Sequence, residues 1–520
     1  MKTNFKPLGL VAAVAAATAG YSGVTTAAAS GAMNSLGDLV LVPYYTVREG
    51  FGTGIHLINT SDRTQVVKVR FRRGADSMDA LDFNIVMSPK DAWTGFLNNE
   101  GDDIYLASQD KSCTAPAMTN GRFKMPSIYR VGAEEGYIEM IAMGTPVDEE
   151  QPIAIAALHD ADGVPADCTA VRSNFFSGGT ATKKGVISSE QTNGFIAGTQ
   201  TLALTDYEDS GNVLKISYFV RDADAGLEFG NDGVHVADFL DAPSITNQER
   251  GINSGDLQGF DFPDLDGGAP TVTADRGKYE ELRSVLGGVS VINDWSANGD
   301  LNVGTDWVVT VPGQYTMIDL LAYYAALEDV DSASYTTTDA WPDDGDDVTD
   351  HCGTTPAARA CDNRDIPLTA TFDVYDREEQ TLATPDGELV VSPQLPGETV
   401  RTVLPAEVNV VTWGTQPVLD SAEAITVTVP DGAIYGWAEL KVEATSTKDQ
   451  AVCNPATTNA EAADIPASFV ANGGDTPLAC TPLVNTGVPM IGFVAWERSF
   501  DANPDANYGR VVEHSYGSAS

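Results

Sequence analysis

Along most of the chain apolar and polar residues alternate with a period of two, which predicts a mainly β protein. In Val67-Lys68-Val69-Arg70-Phe71-Arg72 the apolar side chains share one face and the cations share the other. Leu81, Phe83, Ile85 and Met87 line one face of the next run, with Asp82 and Asn84 opposite, and Leu368–Tyr375 and Ala438–Val442 repeat the pattern. Each is expected to be a half-buried strand with one wet face. Further strands are expected at Leu39–Tyr45, Gly54–Asn59, Tyr137–Met143, Leu214–Val220, Trp307–Val311, Val408–Thr412, Ile425–Val429 and Met490–Trp496.

Many short strands punctuated by 49 Gly and 27 Pro predict multi-domain, immunoglobulin-like β-sandwiches with long acidic loops and few short helices. The helical stretches are Lys278–Leu286, stopped by Gly287-Gly288, and Thr316–Val330. The organisation read from these signals is a signal peptide at 1–29, an N-terminal β-sandwich at 30–110 and a second β-domain at 111–250. A Gly/Asp-rich linker at 251–275 and C-terminal β-domains at 276–520 follow. No short-period repeat supports a solenoid or propeller.

The signal peptide is read from Lys2 and Lys6, the apolar stretch Leu8–Ala19, and the small residues Ala27–Ala29 before Ser30. After Ser30 no run approaches the length of a membrane-spanning helix, so the expectation is a secreted, extracellular chain with no transmembrane segment.

Charge narrows the function classes. The 520 residues carry 30 Lys+Arg against 74 Asp+Glu, a formal net charge of −44. Such a surface repels phosphate, which argues against a nucleic-acid partner and against docking on anionic lipid through a polybasic patch. With 42% hydrophobic residues the chain can still bury a core. Charge of this size keeps copies apart in dilute buffer, whereas in about 1 M salt the screening length shrinks to roughly 3 Å.

Six cysteines, Cys113, Cys168, Cys352, Cys361, Cys453 and Cys480, form an even set in an exported chain and read as disulfides. Sequential pairing is the expectation, because each pair then closes a loop inside one region. No C-x-x-C is present, so a zinc ribbon, a redox dithiol and covalent haem attachment all lack their ligands.

Clustered acid in loops is the strongest chemical signal. Asp261, Asp264 and Asp266 precede two glycines; Asp343, Asp344, Asp346, Asp347 and Asp350 follow Trp341-Pro342; Asp160 and Asp162 lie in His159–Gly163. Smaller groups occur at Arg221–Asp224 and Asp501–Asn507. Short Asp-x-Asp runs on glycine turns can converge several oxygens, and calcium needs six to eight, so calcium is the candidate cofactor and these are its candidate ligands. The bland alternative is a solvated acidic loop. None of these runs has the EF-hand spacing.

Catalysis finds little support. There is no G-x-S-x-G elbow, H-E-x-x-H or P-loop, and the five histidines are scattered. Gly50–Gly54 reads as a hairpin turn and His56 as a strand residue. Acid pairs are too abundant to single out two for glycoside hydrolysis. Trp93, Trp307, Trp413, Trp437 and Trp496 lie in or beside strands and are expected in the sandwich cores. No catalytic residues and no enzyme activity are expected.

Several longer phrases carry a resemblance: Gly37-Asp-Leu-Val-Leu-Val-Pro-Tyr-Tyr45, Ile58-Asn-Thr-Ser61, Val67–Phe71, Leu81–Asn84, Ser88-Pro-Lys-Asp-Ala-Trp-Thr-Gly95, Arg130–Tyr137, Asp261–Asp264, Phe372–Glu378 and Phe493–Arg498. With these the chain resembles the surface-layer (S-layer) protein family of marine gammaproteobacteria, Pseudoalteromonas type, from the signal peptide to the C-terminus. The resemblance implies a structural protein that self-assembles into a two-dimensional lattice on the outer cell surface and can be shed into biofilm matrix. It implies no catalytic residues. S-layer proteins as a class are acidic, β-rich and often assembled through calcium, and outer-membrane lipopolysaccharide is the expected anchor. The six cysteines depart from the low sulfur of that class. Two other readings remain at this stage: a secreted adhesin or glycan-binding matrix protein, and a secreted hydrolase.

Overall fold

The computed structural model describes residues 36–177, 206–245, 282–313, 368–377, 400–442 and 487–517, with short breaks inside these ranges, and short strands at 182–187, 201–203, 451–455 and 478–482. The expected helix Thr316–Val330 and most of Lys278–Leu286 lie outside the described residues. Residues 284–286 are helical and run into a short strand at Gly287-Gly288.

The first sandwich is built from β1 (Leu39–Thr46), β2 (Phe51–Asn59), β3 (Gln65–Arg73), β4 (Asp79–Met87), β5 (Ala92–Glu100), β6 (Asp103–Ala107), β7 (Cys113–Ala115), β8 (Arg122–Lys124), β9 (Glu135–Pro146), β10 (Leu214–Asp222), β11 (Leu227–Asp232) and β12 (Val234–Val236). One sheet runs β12-β1-β9-β3-β4-β7, with the short strand Tyr207–Glu208 also on β9; the other runs β11-β10-β2-β5-β6-β8. The alternating apolar residues of both inner faces, among them Val67, Val69, Phe71, Phe83, Trp93 and Ile216, interdigitate in one core.

The boundary expected near residue 110 is not a domain boundary. β9 lies between β1 and β3, and β10 pairs with β2 along its whole length from Leu214↔Asn59 to Asp222↔Phe51. Residues 30–110 alone would leave the β1–β3 gap and the β2 edge unpaired, so 111–250 supplies strands to the same two sheets.

A second sandwich follows, with β13 (Ser290–Ser296), β14 (Val303–Thr310), β15 (Leu368–Asp376), β16 (Val400–Leu404), β17 (Val408–Trp413), β18 (Ala424–Val427), β19 (Tyr435–Val442), β20 (Ile491–Arg498), β21 (Tyr508–Glu513) and β22 (Ser515–Gly517). Its sheets run β16-β15-β19-β13-β22 and β18-β17-β14-β20-β21. Trp295, Trp307 and Trp413 fill its centre; the Trp307 and Trp413 rings lie 4.9 Å apart and Trp295 stacks on Trp413 at 5.7 Å. Such aromatic packing adds to the large area each ring removes from water.

The wet face expected on Val67–Arg72 is dry. All nine residues of β3 are buried, cations included. Neighbouring strands supply carboxylates: Lys68 Nζ lies 3.1 Å from Asp82 Oδ2, Arg70 Nη1 lies 3.3 Å from Glu139 Oε2, and Arg72 Nε donates to Glu139 Oε1 at 2.6 Å. Tyr137 adds a hydroxyl donor to Glu139 Oε1 at 3.0 Å. Alternation placed the cations on one face correctly, but pairing lets that face be covered.

Two short helices cover one end of the same sheet. α1 (Pro152–Ala157) starts with proline, whose missing N–H costs nothing there, and buries Ile153, Ala154, Ala156 and Ala157. α2 (Cys168–Arg172) is capped by Asp167, which accepts from the amides of Thr169 and Ala170 at 2.9 and 3.0 Å. Both pack with Val66, Val86 and Met143 in a separate small core.

The core of the first sandwich continues onto the facing sheet of the second, whose own centre is separate. On β14, Trp307 and Val309 point into the second sandwich, so Asp306, Val308 and Thr310 face the first. Val308, Val410, Val418, Leu419, Phe493 and Ala495 belong to the same buried cluster as the first sandwich's inner residues. Polar ties sit around it: Thr310 Oγ1 donates to Pro43 O at 2.6 Å, Val408 N to Gly74 O at 3.0 Å, and Asn507 Nδ2 to Ala225 O at 2.9 Å.

Candidate functional site

Most of the predicted calcium ligands, Asp261, Asp264, Asp266, Asp343, Asp344, Asp346, Asp347 and Asp350, lie outside the described residues. Asp160 and Asp162 lie within them, in an exposed turn. Asp160 Oδ1 accepts the amides of Asp162 at 2.9 Å and Val164 at 3.0 Å, and these bonds hold its carboxyl below the usual carboxylate range. Gly163 closes the turn at φ 70°. Asp222 does the same work at Arg221–Asp224, accepting from Asp224 N and Ala225 N at 2.9 Å each. In both loops the Asp-x-Asp spacing serves turn formation. Among the described residues no group of three or more His, Cys, Asp or Glu side chains is arranged to hold a metal ion.

Of the cysteines, Cys113 and Cys168 are bonded, with Cα atoms 5.1 Å apart. The bond ties α2 to β7, where Arg172 Nε also donates to Thr114 O at 2.9 Å. The backbone register sets Cys453 opposite Cys480 in a two-stranded ladder. Cys352 and Cys361 lie outside the described residues. Trp93, Trp307 and Trp413 are core, as expected, but Trp437 is 41% exposed on the outer face of its sheet. His56 points outward and packs edge-on against Phe219.

The most developed polar constellation lies where the sandwiches meet. The connection from β17 to the parallel strand β18 folds back across the face of β14, and Asp306 Oδ2 accepts the amides of Val418 and Leu419 at 2.8 Å each. Asp306 is fully buried, and burial pushes its carboxyl up to about 6 despite these bonds. The hydroxyl of Thr412, its register neighbour, adds a weaker side-chain interaction that lowers it slightly. Glu497 on β20 is half-buried. Burial first, then the charges of Asp306, Asp420 and Asp222, raise it to about 7. Asp420 is raised in turn by burial and Glu49.

A cavity of about 500 Å³ opens beside this row. Its wall is made by Thr412, Thr415, Asp420, Ser421 and Thr426 from the second sandwich and by Arg48 and Glu49 from the first. Arg48 Nε donates to Asp420 O at 3.0 Å and lies 3.8 Å from Glu135 Oε1. The wall offers hydroxyls, carboxylates and one guanidinium, with no imidazole or thiol among its described residues. Burial raises the carboxyls of Asp306, Asp420 and Glu497 along this junction.

Sequence reasoning passed over Arg48, Asp306, Asp420 and Glu497. Each is one acid or cation among many, and residues as distant as 48 and 420 meet only after folding. No family model matches the chain, and no curated protein and no solved structure matches it either.

Proposed function

We propose that the chain is a structural S-layer protein that self-assembles into a two-dimensional lattice on the outer cell surface. The observation that carries the reading is the continuous core between the two sandwiches. It makes one stiff β-rich block from chain segments that could have formed a hinged pair, and a lattice needs subunits that hold the angle between their contacts. Two-dimensional closure requires at least two distinct interfaces per subunit, which a block with several sheet faces can present. The phrase-level resemblance and the net charge of −44 support the same reading.

In this reading repulsion keeps exported copies apart until ions screen or bridge them. Calcium is the proposed bridge, through the acidic runs 261–266 and 343–350. The described turn at 159–163 offers no converged ligand set, so it is not part of that proposal. Lipopolysaccharide is the proposed anchor.

Electron microscopy of expressing cells and of the purified full chain tests the function. A periodic layer is expected on the cells, and sheets are expected from the purified chain in calcium and salt. Cells without a periodic layer, together with protein that stays monomeric in every condition, would overturn the proposal. Retention on cells in excess chelator would remove the calcium part alone.

A further inference from the structure

One edge of the second sandwich carries the chemistry of a protein-binding surface. Trp496 and Tyr508 pack with ring centroids 5.6 Å apart, and Phe500 lies 6.5 Å from Tyr508. Arg510 lies over the Trp496 ring at 4.6 Å and Arg498 over the Phe500 ring at 4.8 Å. Tyr508 is 45% exposed and the Arg510 side chain 53%. Tryptophan, tyrosine and arginine are the residue types that dominate binding hot spots.

We propose that this edge docks a carboxylate-bearing segment of a second copy of the same chain. The two guanidinium groups select the ligand. Each Cζ sits over an aromatic ring, and the half-exposed Arg510 side chain offers the forked donor set that matches a carboxylate. Arg498 Nε is buried with no hydrogen-bond partner among the described residues, and among them the ion pair of Arg510 is a long one, 3.9 Å to the half-exposed Asp294. The arginines also cover ring faces that a neutral sugar would need for stacking, which favours an acidic partner over a neutral glycan. Charge selects the partner. Against 30 cations the chain carries 74 acids, so a pair of aromatic-backed arginines meets its complement on almost any loop of a neighbour. The contact is heterologous, cationic edge to acidic loop, and such contacts propagate when the geometry does not close into a ring.

The surface deepens the lattice reading and rests on it. The test uses the full chain as wild type and as Arg510→Glu, Arg510→Lys and Tyr508→Ala, with sedimentation velocity and negative-stain microscopy as readouts and circular dichroism to check folding. R510E and Y508A are expected to fold as wild type but to need at least about tenfold more protein to assemble, with R510K between them and wild type. Folded R510E and Y508A that assemble at the wild-type concentration with the wild-type spacing would overturn the surface and leave the lattice reading standing. Variants that assemble normally but lose binding to alginate, an anionic polysaccharide, would overturn it in favour of a glycan ligand. Wild-type chain that never assembles would overturn the lattice reading, and this surface with it.

Discussion

Glu135 Oε1 accepts the backbone amide of Ala422 at 2.7 Å, across 287 residues of chain, while Oε2 accepts the hydroxyl of Tyr44 at 2.9 Å. One buried carboxylate of the first sandwich therefore holds the β17–β18 connection of the second. The same carboxylate raises the Tyr44 hydroxyl well above its ordinary pKa, after burial itself. Glu135→Ala leaves both donors unsatisfied in the junction. A loss of about 2–4 kcal/mol is expected, and Glu135→Gln, which keeps an acceptor for Ala422, is expected to lose less. Urea unfolding of both variants measures this; wild-type stability for E135A would contradict the role.

Glu139 is the shared acceptor of Arg70, Arg72 and Tyr137 inside the dry face of the first sheet. Removing it takes away an acceptor that these buried cations share where water does not reach. Glu139→Ala is expected to cost about 3–5 kcal/mol or to prevent folding, whereas removing the exposed partner in the Lys90–Asp62 pair is expected to cost less than about 1 kcal/mol. Comparing the two melts separates buried from surface pairing, and equal shifts would refute the distinction.

Asp306 gives stability a pH dependence with a definite sign. Unfolded, an aspartate ionises near 3.9; folded, Asp306 keeps its proton up to about 6. The folded state binds more protons in that window, so this group's contribution is fully present below about 4 and is lost as pH rises through about 6. The loss should be about 2–3 kcal/mol. Asp306→Asn cannot ionise, so the difference between wild-type and variant stability should change across pH 4–7. A constant difference would show that the carboxyl is not raised.

His514 works in the opposite sense. Its Nε2 lies 3.0 Å from Val308 O, which can only accept, so Nε2 carries the proton and Nδ1 accepts from Asn293 Nδ2 at 3.0 Å. Burial lowers its pKa to about 4. Its contribution is present above the ordinary histidine pKa and is lost as pH falls through about 4. Imidazole resonances followed by NMR should show one histidine neutral until near pH 4; His514 titrating above pH 6 would refute this.

The Cys113–Cys168 bond closes a loop of 55 residues that includes β8, β9 and α1. Reducing it, or replacing both cysteines by serine, is expected to cost about 2–4 kcal/mol by freeing that loop in the unfolded chain. Thermal melts with and without reductant report the effect, and coincident melts would exclude it.

Strand positions were legible where a half-buried strand writes its period into the sequence, as Leu214–Val220 does. The dry face of β3 was not, because alternation separates two faces without saying what covers either. The acidic turns have a local role the spacing alone does not reveal: one carboxylate oxygen each of Asp160 and Asp222 accepts backbone amides two to four residues on. The junction constellation was hidden by distance. Nothing local to Arg48 points to Asp420, and nothing around Glu497 points to Asp306, whose strands pair across nearly 190 residues of chain.

The pairing of β14 with β20 along its full length, with β21 beyond it and β22 closing the other sheet against β13, also sets a clock on biogenesis. A strand near residue 303 must wait for partners made nearly 190 residues later. Until then β14 has an open edge, and the junction lacks Phe493 and Ala495 to bury against. The strands of the first sandwich are complete once residue 236 is available; those of the second are complete only when residue 517 is. During that interval the half-made chain carries unpaired edges whose alternatives are mispairing and aggregation. Truncation of even the final few strands should therefore be felt across the whole second sandwich, not just at its end.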